Sequence, residues 1–167
     1  TVHNTVRAHR RLLISVLLGL SLPVQVLSYD AKVSFSAQPK DGFTFIKQNL
    51  LYQAFDKAIQ KKLEQLGYDQ NKYYQVLKEK LDKQYLVREK NIKARYGKKL
   101  SAVRKKELEK QLRKEKFELK LRLNPLYRSV KKYNFLRKTK RVKKGGGTRI
   151  YAAQVRTEID SPTLSKL

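Results

Sequence analysis

The sequence predicts a helix-dominated α+β protein: a small sheet packed on one amphipathic helix, with a long basic antiparallel helical hairpin inserted. Three patterns predict it. Short alternating stretches stand towards both ends, "AKVSFSAQ" (Ala31 to Gln38) and "TRIYAAQVRTEID" (Thr148 to Asp160), and period-two alternation marks a half-buried strand. One segment between them has a wide apolar face at helical spacing. Two further helical segments are thin in apolar residues and crowded with lysine and arginine.

Residues 1–28 read as an address. Arg7, Arg10 and Arg11 give a positive start, Leu12 to Leu22 a dense apolar run, and Pro23 ends it. Val26 and Ser28 are small enough for the −3 and −1 positions of a secretory signal peptide, which places cleavage between Ser28 and Tyr29. The apolar run is only eleven residues, whereas a membrane span needs about 20. Two alternatives stand beside this: a mitochondrial presequence, because residues 1–29 hold arginine and no acid, and a retained membrane anchor.

After the strand at Ala31 to Gln38, "PKDG" (Pro39 to Gly42) is a turn. A helix is expected from Thr44 to Leu66, with Leu51, Phe55, Ile59, Leu63 and Leu66 on one face beside Leu50, Ala54 and Ala58, and Gly67 as its stop. Residues 29–67 plus 148–167 thus form a small α/β domain. The hairpin occupies 68–123. Its first helix runs from Gln70 to Tyr96 with Leu77, Leu81, Tyr85, Ile92 and Tyr96 as a stripe. Its second runs from Ser101, an N-cap, to Leu123, with Leu108, Leu112, Leu119 and Leu123 in line. Each is about 35 to 40 Å long, and they turn back at "YGKKLS". Arg88 and Glu115 interrupt the stripes. "NP" at Asn124-Pro125 ends the second helix. Residues 124–147 are expected to start as a short helix or strand and become a basic arm with a glycine linker. A last helix opens at "SPTLSKL", with Ser161 as N-cap and Pro162 in the first position.

The charge is extreme: 40 Lys and Arg against 14 Asp and Glu, a net +26. Self-repulsion on that scale calls for an elongated shape or an anionic partner. Chemistry is scarce. There is no cysteine, and both histidines, His3 and His9, lie in the leader. A chain shorn of the leader lacks the usual general bases, thiol nucleophiles and zinc ligands, so no enzyme activity, metal or cofactor is expected. Glu107, Glu109, Glu115 and Glu118 read as i,i+4 partners on the third helix, Glu109 with Arg113 and Glu118 with Arg122. "KKGGGTR" (Lys143 to Arg149) lacks phosphate-loop spacing and reads as a linker. The closing "SKL" matches a peroxisomal address, in conflict with the leader, and is taken as coincidence.

The strongest binding signal is the arm. Arg128, Lys131, Lys132, Arg137, Lys138, Lys140, Arg141, Lys143 and Lys144 are nine cations with no acid among them. Tyr127, Tyr133 and Phe135 are interleaved as candidate stacking partners, since rings beside cations can hold bases while the cations hold phosphates.

A strand, then "NLLYQAFDKAIQKKLEQLG", then a late strand "RIYAAQVRTEID" running into "LSKL" resembles small exported periplasmic α/β modules such as the N-terminal domain of flagellar assembly protein T. The likeness covers Lys32 to Gly67 and Thr148 to Leu167, with Tyr68 to Gly147 as an insertion. It implies an exported binding or scaffold module and assigns no residue a chemical role. Two functions follow. The first is a non-enzymatic cell-envelope protein, periplasmic or secreted, that binds an anionic partner through the hairpin and arm: envelope lipid, lipopolysaccharide or an acidic protein. It could also meet a protein partner or a second copy along the hairpin. The alternative is a mitochondrial or ribosome-associated structural protein that clamps rRNA.

Overall fold

The computed structural model describes residues 27–143 and 148–160, with residues 138–143 described by backbone alone. The expected leader up to Val26, Lys144, the expected glycine linker and the helix expected at Ser161 lie outside the described residues. The fold is the expected helix-dominated α+β arrangement, with three α-helices and a three-stranded antiparallel sheet among the described residues.

Strand β1 (Leu27–Ala37) starts four residues before the alternation at Ala31 suggests. Tyr29 already belongs to its inner face, alongside Ala31, Val33 and Ala37. Its even-numbered residues, from Ser28 to Ser36, point to solvent. Strand β3 (Arg149–Ile159) repeats the pattern, burying Ala153, Val155, Thr157 and Ile159. The two pair in unbroken register, from Leu27 opposite Ile159 to Ala37 opposite Arg149.

Helix α1 (Phe43–Gln65) lies across the inner face and buries Ile46, Leu50, Leu51, Ala54, Phe55, Ala58, Ile59 and Leu63. Ala54 and Ala58 matter because a small side chain lets the helix axis approach the strands. Gly67 closes the helix in the left-handed conformation (φ 81°), where a side chain would be strained. Its N–H donates to the Glu64 carbonyl and that of Tyr68 to the Leu63 carbonyl, the paired bonds of a Schellman motif.

Helices α2 (Gln70–Tyr96) and α3 (Ala102–Leu123) form the antiparallel hairpin. Asp69 caps α2 by accepting from the Lys72 N–H at 3.0 Å, and Ser101 caps α3 through the Arg104 N–H at 3.3 Å.

The segment after the hairpin corrects the sequence expectation. Residues 124–143 are not an irregular basic arm. Pro125–Ser129 is a 3₁₀ turn, and Val130–Lys143 is strand β2, paired with β3 on the side away from β1. The insertion therefore ends with the helices. β2 hides from pattern reading because its register slips at three places, between Val130 and Lys132, Phe135 and Arg137, and Arg137 and Lys140. Each slip moves the side chains that follow to new positions relative to the sheet, so no simple alternation survives. β2 is also an edge strand, where lysines discourage pairing with other chains.

Candidate polyanion-binding surface

The hairpin seam is thin. Ile92 is the one fully buried side chain of α2 and Leu119 that of α3. Leu77, Leu81, Tyr85, Leu108 and Leu112 are half-buried. Arg88 and Glu115, which break the two apolar stripes, meet each other across the seam in an ion pair. Arg122 approaches the same carboxylate at 3.8 Å. Near the turn, the Tyr96 hydroxyl donates to Gln111 at 2.7 Å.

Three attachments hold the hairpin to the rest of the fold. Arg113 grips Asp41 with both terminal nitrogens, at 3.1 and 3.0 Å. The turn bearing Asp41 is also held by Arg149, whose Nη2 donates to the Gln38 and Pro39 carbonyls. Farther along, Asp56 on α1 accepts from Lys120 at 2.7 Å, the Tyr127 hydroxyl at 2.7 Å and the Tyr74 hydroxyl at 3.2 Å. Burial, reinforced by the Asp56 charge, raises the ionisation of both phenols well above the ordinary tyrosine range. Asn124 joins this end by accepting from the Tyr73 hydroxyl at 2.8 Å. Between the two polar attachments, Phe117 lies edge-on to Phe45 and Tyr52, with centroids 5.6 and 5.9 Å away.

The charge left over defines the surface. α2 carries eight Lys and Arg against three acids, α3 nine against four. Most of those acids are already paired: Asp82 with Lys78, Glu89 with Lys93, Glu107 with Arg104, Glu118 with Lys114 and Glu115 with Arg88. The expected pairs of Glu109 with Arg113 and Glu118 with Arg122 do not form, because Arg113 is taken by Asp41 and Glu118 by Lys114. Lys72, Lys80, Lys83 and Lys90 on α2, and Lys105 and Lys106 on α3, have no carboxylate within 4.0 Å among the described residues. All six are exposed.

The residues singled out by sequence are dispersed. Arg128 is exposed on the 3₁₀ turn, and Lys131, Lys132 and Arg137 are exposed on β2. Lys132 stands opposite Glu158 in the sheet and Arg137 opposite Gln154. Lys138, Lys140, Arg141 and Lys143 belong to the backbone of β2, and their side chains lie outside the described residues. Tyr127 leaves the stacking set: its ring packs 4.8 Å from Tyr52 and its hydroxyl is held by Asp56. Phe135 packs on the core with the Lys47 ammonium 5.3 Å from its ring. Tyr133 keeps an exposed ring, at 46% accessibility, although one edge meets Phe55. Ser28 and Tyr29 both lie within β1; Tyr29 is buried and its hydroxyl donates to Gln65 at 2.6 Å. The unopposed lysines of the hairpin did not stand out in the sequence, because the pairing that singles them out depends on which acids are taken.

No group of three or more His, Cys, Asp or Glu side chains among the described residues could hold a metal ion, and none of the described helices is long and apolar enough to cross a membrane. The cleft between the start of α1 and α3, about 510 Å³, is lined by Phe45, Phe117 and Leu121 with Lys110 and Lys114 at its mouth. Its one deeply placed carboxylate, Asp41, is occupied by Arg113. What the surface offers is electrostatic attraction over a long exposed helical face. No family model, curated protein or solved structure matches this chain.

Proposed function

We propose that this protein is a non-enzymatic, exported cell-envelope binding protein that engages an anionic partner through its helical hairpin. One observation carries the reading. The hairpin pairs most of its acids internally and presents unopposed lysines along its outside, with little apolar seam to justify two such long helices by packing alone. Such a device attracts polyanions at long range and loses grip as salt rises. The export half of the reading rests on the leader-like order of residues 1–28. Cleavage after Ser28 would remove Leu27 and Ser28 from β1 and leave in place Tyr29, the first buried residue among those described.

A second reading, rRNA clamping, is favoured by the exposed Tyr133 ring beside Lys131, Lys132 and Arg137. Cell fractionation with mass measurement of the mature N-terminus separates the two. Recovery in the envelope fraction with Tyr29 as first residue supports the proposal. Co-sedimentation with ribosomal particles, released steeply by salt, would contradict it in favour of the second.

A further inference from the structure

The outward face of α2 sets exposed aliphatic side chains among the unopposed lysines. Taken at 100° per residue, Lys72 and Lys90 lie on one line, eighteen residues and five whole turns apart, and Lys83 falls beside them. Val76 and Val87 sit on the same strip, seven residues before and four after Lys83, while Leu86 and Lys80 flank it. The aliphatic side chains are not covered: Val76 is 58%, Leu86 68% and Val87 61% accessible. Directly opposite run Leu77, Leu81 and Ile92, so the strip points away from α3, and only its start, at Lys72 and Val76, borders Leu63 of α1. Glu79 is the one carboxylate on it.

We infer that this strip is a seat for an anionic lipid bilayer. The inference deepens the proposed reading and rests on it, since it names the anionic partner. Lysines that carry no carboxylate partner can reach headgroup phosphates while their methylene stems lie along the acyl boundary. Val76, Leu86 and Val87 would sink below the headgroups, burying area that now faces water. Nucleic acid is the poorer match for this face: the one exposed ring near it, Tyr68, stands at its start beside Lys72 and Val76, and the aliphatic groups gain nothing against a phosphate backbone. At about 40 Å, the helix is long enough to lie along a flat surface with every strip residue in contact.

The test uses the full chain, vesicles of phosphatidylcholine with or without phosphatidylglycerol, and heparin as a soluble polyanion. The protein should bind the mixed vesicles and ignore pure phosphatidylcholine. A Lys72→Gln, Lys80→Gln, Lys83→Gln, Lys90→Gln variant should bind mixed vesicles on the order of a hundredfold more weakly, as each lysine near an anionic surface contributes substantially. The corresponding four Lys→Arg changes should keep the binding. A Val76→Gln, Leu86→Gln, Val87→Gln variant should lose about tenfold or more on vesicles and keep its heparin affinity. All variants should melt like the parent, because every altered side chain is exposed. Equal loss on vesicles and heparin in the aliphatic variant, or no loss in either variant, would overturn the inference. So would binding of rRNA in place of vesicles. If heparin binding stays strong while vesicles are ignored, the seat fails and the polyanion reading survives; if neither binds, both fall.

Discussion

Helices α1 and α2 are of similar length and both carry lysines, yet they are held in opposite ways. α1 buries nine side chains, among them Leu50 and Ile59 with no exposed surface, against the two strands that form the regular half of the sheet. α2 buries only Ile92 fully, and its partner α3 only Leu119. The first helix is fixed by apolar area, which acts wherever the surfaces meet. The second is fixed by a capping aspartate, a cross-seam ion pair and an attachment through polar hubs, each of which can be removed by one substitution. A lysine-rich helix thus becomes rigid or separable according to what lies beneath it.

Substitutions should expose this difference, beginning with the core. Ile59→Ala leaves a cavity under α1 and should cost about 2–5 kcal/mol in urea melts. The matching change in the hairpin, Leu81→Ala, opens a half-solvated seam and should cost about 1 kcal/mol or less of global stability. Asp56→Ala comes next. It strands Lys120 and the hydroxyls of Tyr74 and Tyr127, with an expected loss of about 1.5–3 kcal/mol. Limited proteolysis should then cut α3 faster than it cuts α1.

Alkali offers a milder way to weaken the same junction. Burial, assisted by the Asp56 charge, pushes the Tyr73 phenol up to about 12, and holds those of Tyr74 and Tyr127 higher still. The unfolded chain ionises its tyrosines near pH 10. The native state therefore holds protons that the unfolded state has released. Stability from these groups is whole below about pH 10 and declines as pH rises towards 12 and beyond. Melts in urea at stepwise alkaline pH should show it, and Tyr127→Phe should flatten the decline. The smallest effect belongs to the hairpin's outer surface. Lys105→Gln with Lys106→Gln should shift stability by about 0.5 kcal/mol or less per site; a larger loss in a thermal melt would mean these charges are structural.

The same contrast explains what could be read from the chain. α1, β1 and β3 were legible because one face of each is buried continuously, so burial stamps its period on the sequence at Leu51, Phe55 and Ile59 or at Val33, Val155 and Thr157. The hairpin was legible from its stripes and stops, with Ser101 capping as expected. β2 was not, since three register slips erase its alternation. The junction was invisible for another reason. Asp41 and Arg113 are 72 residues apart, Asp56 and Tyr127 71 apart, and nothing local marks either pair. Of the candidate surface, the cations of Arg128 to Arg137 were named and found exposed, whereas Tyr127 was read as a stacking ring and is part of the junction.

Native-state amide hydrogen exchange, residue by residue, tests the central contrast most directly. Amides of α1 and β3 around Leu50, Ala58 and Val155 should exchange only through global unfolding. Those of the hairpin from Leu86 to Lys106 should exchange through a much smaller local opening, insensitive to Ile59→Ala. Equal protection of α1 and the hairpin tip, falling together in that variant, would show one cooperative unit and contradict it.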